Sequence, residues 1–412
     1  MSKIFLLCNL IFVVFIHVSC ESQSIVTTGL DNLSDFRDIF KGKRIGIITN
    51  HTAYNSNNKY IADIFQNLPN TELKALFAPE HGIGGKEAAG FKIDDEIDPL
   101  NNIPIYSLYG KTRKPTAEML EDIDMLIFDI QDIGARFYTY IYTMSLAMEA
   151  AAENSIPFVV LDRPNPINGI DVEGNILEQS YATFVGLYPI PVRHGMTVGE
   201  LAKMFNKEGW LQNSVQVDLK IIPMKNWRRE MWYDQTGLMW RSPSPNIPDL
   251  DVATVYPGTC LFEGTNISEG RGTYQPFLRI GAPWFSKDQF SVINKVIELP
   301  GVLFGPITFV PKSIPDMSPH PKYKDTQLTG ISLSITNRNN FRPYLTGIML
   351  VQYFYQANTE NFKWREAHFD RLCGTAKIRE LIIEGKDITE IKEWLNKDLE
   401  SFLTIRNKYL LY

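Results

Sequence analysis

From residue 43 onward, short apolar runs alternate with segments whose apolar residues recur at helical spacing. Four of the runs are typical of buried strands, at residues 44–49, 73–78, 125–129 and 158–162. Helical patterns lie between and after these runs, at residues 59–67, 116–123, 137–154 and 197–208. Strands that alternate with helices form a mostly parallel sheet with helices on both faces. The pattern therefore predicts a Rossmann-like, doubly wound α/β domain.

The pattern changes in the middle of the chain. Residues 242–272 are dense in proline, glycine, serine, asparagine and threonine, a composition that predicts a long loop. Long loops between ordered elements are often functional. The last part of the chain predicts one strand and three helices, at residues 330–336, 344–357, 375–384 and 388–403. We therefore expect a catalytic domain at residues 43–248 and a smaller α+β C-terminal domain at residues 249–412.

The N-terminus has the features of an export signal. Lys3 precedes an apolar run that extends to Val18, and this run is shorter than a membrane-spanning helix of roughly 20 apolar residues. The Val-Ser-Cys sequence that ends at Cys20 also resembles a bacterial lipoprotein cleavage box, in which the cysteine becomes lipidated. We expect a signal at residues 1–20 and a linker at residues 21–42. The mature protein is then exported, and is either periplasmic or anchored to a membrane by lipid on that cysteine.

Composition excludes several classes of partner. The 412 residues carry a net charge of −6 with both signs scattered along the chain, whereas nucleic-acid binding needs a basic footprint. Only Cys260 and Cys373 remain outside the N-terminal segment, too far apart for a disulfide framework or a zinc site. We therefore expect no nucleic acid, no metal and no cofactor, and membrane contact only through the lipid. The oligomeric state stays open.

Polar residues follow each of the four predicted strands. In open α/β sheets ligands bind outside the carboxyl ends of the strands, so these positions are candidates for a binding site. In chain order they are Asn50, Glu80, His81, Arg136, Tyr138 and Arg163. We expect them to line one cleft, because parallel strands bring their carboxyl ends to the same edge of a sheet.

Several of these residues have two possible roles. Glu80, at a strand end beside glycines, either caps a helix or acts in catalysis. Neither a phosphate loop nor a dinucleotide fingerprint is present at these glycines. His81 and His194 are either ordinary hydrogen-bonded histidines or catalytic and binding ones. Arg136 and Arg163 either form structural ion pairs or recognise an anionic group, for which the planar guanidinium is well shaped.

The glycine-rich part of the predicted loop carries Glu263, Glu269 and Arg271. These side chains are either solvated or contribute to the cleft. Two carboxyl groups flanked by arginines, aromatics and a histidine suit glycoside hydrolysis, which needs a proton for the leaving oxygen and stabilisation of an oxocarbenium ion. An esterase on this fold would carry a G-x-S-x-G nucleophile elbow, which the sequence lacks.

Six motifs in a single order carry a family resemblance. They are GIITNHT at 46–52, FAPEHGI at 77–83, FDIQDIGARFYTY at 128–140, LDRPNP at 161–166, PVRHGMT at 191–197 and FEGTNISEGRGT at 262–273. At these motifs the chain resembles the NamZ-type exo-β-N-acetylmuramidases, long catalogued as a domain of unknown function. The resemblance implies a metal-free enzyme that releases N-acetylmuramic acid (MurNAc) from MurNAc-GlcNAc disaccharides and from glycan ends, in a cleft between the two domains.

The resemblance also suggests roles for individual residues. Glu80 looks like the catalytic glutamate and our candidate for the general acid, with His81 beside it, and Glu269 is the second candidate ahead of Glu263. The lactyl carboxylate of muramic acid would be bound by Arg136, Arg163 or Arg271. The other substrate-binding candidates are Asn50, Tyr138, His194 and Glu263. The competing hypothesis is a non-catalytic periplasmic lipoprotein that binds muropeptides in the same cleft.

Overall fold

The structure is a computed structural model that describes residues 25–296 and 299–412. The predicted signal and Cys20 lie outside the described residues. Within those residues, no helix has the length and apolar character that crossing a membrane requires.

The secondary structure of the described residues alternates as predicted in the first half of the chain. The strands are β1 (Lys43–Thr49), β2 (Thr71–Ala78), β3 (Glu96–Ile97), β4 (Pro104–Ser107), β5 (Met125–Asp129), β6 (Phe158–Leu161), β7 (Leu219–Ile222), β8 (Arg279–Ala282), β9 (Val302–Phe309) and β10 (Leu328–Ile335). The α-helices are α1 (Ile61–Gln66), α2 (Ala117–Leu120), α3 (Tyr140–Glu153), α4 (Val198–Lys207), α5 (Leu250–Thr259), α6 (Lys287–Val296), α7 (Pro343–Ala357), α8 (Glu366–Cys373), α9 (Lys377–Ile383), α10 (Ile388–Asn396) and α11 (Leu399–Arg406). Short 3₁₀ helices span Asp31–Ile39, Gln179–Tyr181, Gln212–Ser214, Tyr233–Gln235 and Cys260–Gly264.

A seven-stranded sheet forms the first domain, in the order β3-β4-β2-β1-β5-β6-β7. All neighbours are parallel except the edge strand β3, which runs antiparallel to β4. The central strand β1 pairs Ile47 with Leu76 on one side and with Ile127 on the other. The predicted α/β fold is therefore confirmed.

Alternate residues of the central strands bury opposite faces of this sheet. Ile48 and Phe128 pack with α3 and α4 on one face, whereas Ile47 and Ile127 pack with α1 on the other. Helix α4 begins where Thr197 forms a reciprocal capping box with Glu200. Because both faces are covered, the strands read as continuous apolar runs in the sequence.

The C-terminal part contains an antiparallel sheet in the order β8-β10-β9 together with the later helices. Its core is continuous with the face of the large sheet that carries α3, so the two parts pack together directly. This packing places the loops after β2 and β5 against α8 and the 3₁₀ helix at Cys260–Gly264. The predicted boundary between residues 248 and 249 stays a prediction.

The prediction of an unbroken loop at residues 242–272 was wrong, because α5 lies inside it. The helix contains Pro257 and several β-branched residues, which disfavour helices in isolation. Tertiary packing overrides that preference. A side chain at Gly258 would come within 1.8 Å of the Pro343 carbonyl oxygen, so the glycine lets α5 lie directly against α7. Residues 388–403, predicted as one helix, form α10 and α11.

Candidate active site

A strained turn after β2 presents Glu80. His81 has φ of 71° and Gly82 has φ of 72°, so the chain enters the left-handed region immediately after the glutamate. A histidine there is uncommon, and such strain concentrates at functional sites. The turn continues to Gly85, where a Cβ atom would lie 1.9 Å from the ring of His51. The loop after β2 therefore has one tightly packed path.

Hydrogen-bond donors hold the Glu80 side chain. Thr139 Oγ1 donates to Glu80 Oε2 at 2.7 Å, and the Gly90 N–H donates to Oε1 at 3.0 Å. The Tyr109 hydroxyl lies beside the same carboxyl group, and burial together with this neighbour raises the pKa of Tyr109. Both oxygens of Glu80 thus accept hydrogen bonds. This arrangement suits an ionised carboxylate better than it suits a protonated carboxyl group that serves as an acid.

A cavity of about 110 Å³ lies in front of Glu80, between the two domains, and we call it the inner cavity. It gathers five of the predicted site residues from distant parts of the sequence: Glu80, His81, Tyr138, Glu263 and Arg271. Aromatic side chains supply much of the remaining wall, namely Tyr109, Phe137, Tyr256 and Phe277. Of the six residues predicted at strand ends, Glu80, His81 and Tyr138 therefore converge here, and Glu263 and Arg271 join them from the glycine-rich loop.

A second and wider cavity of about 510 Å³ adjoins the first, and we call it the outer cavity. Glu269 lies here, together with Lys322, Arg365 and His320. Four residues line both cavities and so mark their junction: Ala89, Glu263, Arg271 and His368.

Arg271 is the central charge of the junction. Its Nη2 donates to Glu263 Oε1 at 2.7 Å, and its Nε lies 3.6 Å from Glu269 Oε1. Burial alone would raise the pKa of Glu263, but Arg271 and His368 lower it to about 2. Lys322 Nζ donates to the other oxygen of Glu269 at 2.9 Å. Glu269 is therefore held in an ion-paired arrangement, as Glu263 is.

The loop that carries Arg271 depends on two glycines. Gly270 and Gly272 have φ of 79° and 82°, values that residues with a Cβ rarely adopt. A Cβ atom at either position would also come within 2.7 Å of a backbone oxygen. The glycine-rich sequence predicted as a cleft loop therefore fixes one arginine between two glutamates.

His81 lies in the wall of the inner cavity, and one of its ring nitrogens forms a hydrogen bond with the backbone. Its Nδ1 donates to the Glu87 carbonyl oxygen at 2.6 Å. Burial lowers the pKa of His81, and the neighbouring Glu80 partly offsets that effect. The structure therefore favours a neutral imidazole that supports the turn after β2.

Arg136 was predicted to bind substrate, but the structure shows it in contact with backbone carbonyl groups. Its guanidinium is fully buried and donates to four backbone carbonyl groups, those of Asn175, Ile190, Leu372 and Cys373. The first two belong to the large domain, and the last two end helix α8. Arg136 lines neither cavity and joins the two domains, and its predicted contact with substrate stays a prediction.

Arg163, His194 and Asn50 also lie away from both cavities. Arg163 forms a two-pronged ion pair with the buried Asp129, through its Nε and, at 3.0 Å, through its Nη2. His194 Nδ1 accepts the Met196 N–H, and burial lowers the pKa of this histidine to about 3. The Asn50 amide oxygen closes the turn after β1 on Thr52. These three predicted substrate contacts are not brought to the cleft.

Sequence reasoning missed several residues of the site. Thr139 lies inside the third motif, but a threonine carries no distinctive signal for catalysis. His368 lies on α8, about a hundred residues from Glu263 and outside all six motifs. The scarcity of histidine, six in the chain, is the one signal that could have drawn attention to it. In the described part of the chain, no three His, Cys, Asp or Glu side chains group as a metal site would need.

Carboxylates, an arginine, histidines and tyrosines in a cleft between two domains define a hydrolase of the glycosidase class. Profiles described as Exo-beta-N-acetylmuramidase NamZ match the chain, the N-terminal one over residues 45–251 and the C-terminal one over residues 254–412. The chain therefore belongs to the NamZ family, which confirms the resemblance in the motifs.

Individual relatives agree with this assignment. The chain is 47% identical over 389 residues to Peptidoglycan beta-N-acetylmuramidase NamZ of Bacillus subtilis (strain 168), covering 94% of this chain and 91% of that protein. Crystal structures of two DUF1343 family proteins from Bacteroides fragilis NCTC 9343 match with TM-scores of 0.85 and 0.78. Each is 36% identical, and each match covers 94% of this chain and 99% of the other.

Proposed function

We propose that the protein is an exo-acting glycoside hydrolase that releases N-acetylmuramic acid from the non-reducing ends of peptidoglycan fragments. The observation that carries this proposal is the inner cavity, where Glu80 and the Arg271–Glu263 pair meet across the domain interface. The Bacillus subtilis relative is a peptidoglycan beta-N-acetylmuramidase by name, which supports this class of activity. The protein thus acts in turnover or recycling of the cell wall.

The positions of these residues in the cleft suggest a separate role for each in the reaction. Glu80 is the carboxylate that faces the terminal sugar and stabilises positive charge at its anomeric carbon, directly or by attack. Three arginines were predicted to bind the lactyl carboxylate, namely Arg136, Arg163 and Arg271. Of these, Arg271 lines the cleft. Arg271 lines both cavities, so we assign the lactyl carboxylate to it. The inner cavity is the one that adjoins Glu80, so we place the terminal sugar there.

Incubation with MurNAc-GlcNAc tests the function directly. We expect free N-acetylmuramic acid and N-acetylglucosamine in equal amounts, measured by chromatography. With intact glycan strands, monosaccharide should accumulate stepwise. Early release of long internal fragments would contradict the exo mode. Tight binding of the disaccharide without any product would favour a muropeptide-binding lipoprotein.

We also propose that lipid on Cys20 anchors the mature protein to a membrane. The supporting observations are the export-type N-terminus and the lipoprotein-like box that ends at this cysteine. A single lipid chain anchors weakly and several chains anchor stably. Wild-type protein expressed in a bacterial host should therefore sediment with membranes, whereas Cys20→Ser should remain soluble. Identical partitioning of the two proteins would rule out the lipid anchor.

A further inference from the structure

The junction of the two cavities is where a scissile bond belongs. A terminal sugar in the inner cavity and the next sugar in the outer cavity place the glycosidic oxygen between them. This placement rests on the proposed function. The side chains at that point are those shared by both cavities, namely Ala89, Glu263, Arg271 and His368.

Only one of these four side chains can supply a proton near neutral pH. Alanine has none, and an arginine guanidinium does not give up its proton in proteins. Glu263 is ionised, because Arg271 and His368 hold its pKa at about 2. The remaining group is the imidazole of His368, whose side chain is 35% exposed and faces both cavities.

We propose that His368 is the general acid that protonates the leaving glycosidic oxygen. Its Nε2 lies 3.7 Å from Glu263 Oε2, and the other oxygen of Glu263 accepts two bonds from Arg271. The result is an Arg271–Glu263–His368 chain that ends at the junction. The carboxylate therefore lies beside the imidazole at the point where the two cavities meet.

Backbone packing sets the spacing of this chain. Glu263 lies on the 3₁₀ helix that ends at Gly264, and His368 lies on α8. A Cβ atom at Gly264 would come within 2.5 Å of Phe369 Cα, so the two helices touch through their backbones. Glu263 and His368 are the residues immediately before these two contact points. The close approach of the helices therefore brings the carboxylate and the imidazole together.

Charged side chains surround His368. Glu263 faces it from the 3₁₀ helix, and the exposed Arg371 lies one turn further along α8, with its Nη2 3.5 Å from His368 Nδ1. Arg271 and Arg365 also line the outer cavity.

Hydrolysis of the glycosidic bond by this route consumes water and needs no other reactant. As the bond from the anomeric carbon to the glycosidic oxygen breaks, its electron pair stays on the oxygen, which takes a proton from the His368 imidazolium. Glu80 faces the positive charge left on the anomeric carbon. Water supplies the hydroxyl group of the released sugar, and its proton restores the imidazolium. The assignment leaves Glu80 with the carboxylate role that its donors suit, rather than with the predicted role of acid.

Two substrates with different leaving groups distinguish the role of His368 from that of Glu80. His368→Gln should lose about 10²- to 10⁴-fold in kcat on MurNAc-GlcNAc, but much less on 4-nitrophenyl MurNAc, whose phenolate needs little protonation. Glu80→Gln should be impaired on both substrates. Near-normal turnover of the disaccharide by His368→Gln, or an equal loss on both substrates, would overturn the assignment. Failure of the proposed function is distinguishable, because the wild-type enzyme would then release nothing from either substrate.

A control variant makes the test specific. Glu366→Gln changes an exposed residue of α8 that lines neither cavity, and it should keep the wild-type ratio of rates on the two substrates. Thermal unfolding verifies that each variant is folded.

Discussion

Replacing Glu80 by glutamine is expected to lower kcat on MurNAc-GlcNAc by about 10²- to 10³-fold while KM changes little. Glutamine keeps the size of the side chain, and its amide oxygen still accepts from Thr139 or Gly90. The substitution removes the negative charge that faces the anomeric carbon, and that charge matters most in the oxocarbenium-like transition state. Initial rates over a range of disaccharide concentrations separate kcat from KM.

Glu96→Gln provides the matched control, because Glu96 lies exposed on the edge strand β3 and should leave both constants unchanged. The two substitutions are chemically identical and differ only in position. Retention of near-normal turnover by Glu80→Gln would remove this residue from the catalytic machinery. In that event Glu263 and Glu269 would be the remaining carboxylates of the cleft.

The position of Glu80 was predictable because it depends on local features of the sequence. Buried parallel strands can be recognised in a sequence as apolar runs. Their carboxyl ends mark the ligand-binding edge of the sheet. The residues Glu80, His81 and Tyr138 follow from that rule alone. The glycine-rich loop with Arg271 was predictable as a cleft element because Gly270 and Gly272 point to an unusual backbone. Local geometry of this kind is encoded within a few neighbouring residues.

Other parts of the site depend on contacts that the sequence does not display. Arg136 and Arg271 are both arginines in strong motifs, yet one meets only carbonyl oxygens and the other meets two glutamates. Nothing in either motif reveals which partners the fold supplies. The same holds for His368, which reaches the cleft only because α8 packs against the 3₁₀ helix before Gly264. Long-range packing decides these cases, so the sequence predicted the residue types but not their roles.

The buried position of Arg136 leads to a prediction about stability. Arg136→Met should lower the free energy of unfolding by about 2–4 kcal/mol, because buried carbonyl groups lose their donors at about 1–3 kcal/mol each. Two of the four are partly protected, since Cys373 also accepts from Asn175 Nδ2 and Ile190 also accepts from the Leu177 N–H. Methionine fills part of the space and removes a buried cation that has no carboxylate partner, which offsets some of the loss.

Urea unfolding followed by fluorescence measures this change, and Arg228→Met is the control. Arg228 is more than half exposed and pairs with Glu230 on the surface, so its replacement should alter stability by no more than about 0.5 kcal/mol. The KM of folded Arg136→Met for MurNAc-GlcNAc should match that of the wild-type enzyme, because the guanidinium lines neither cavity. Its kcat is expected to fall modestly, since Arg136 holds the end of the helix that carries His368. A raised KM with unchanged stability would instead restore Arg136 as a substrate ligand.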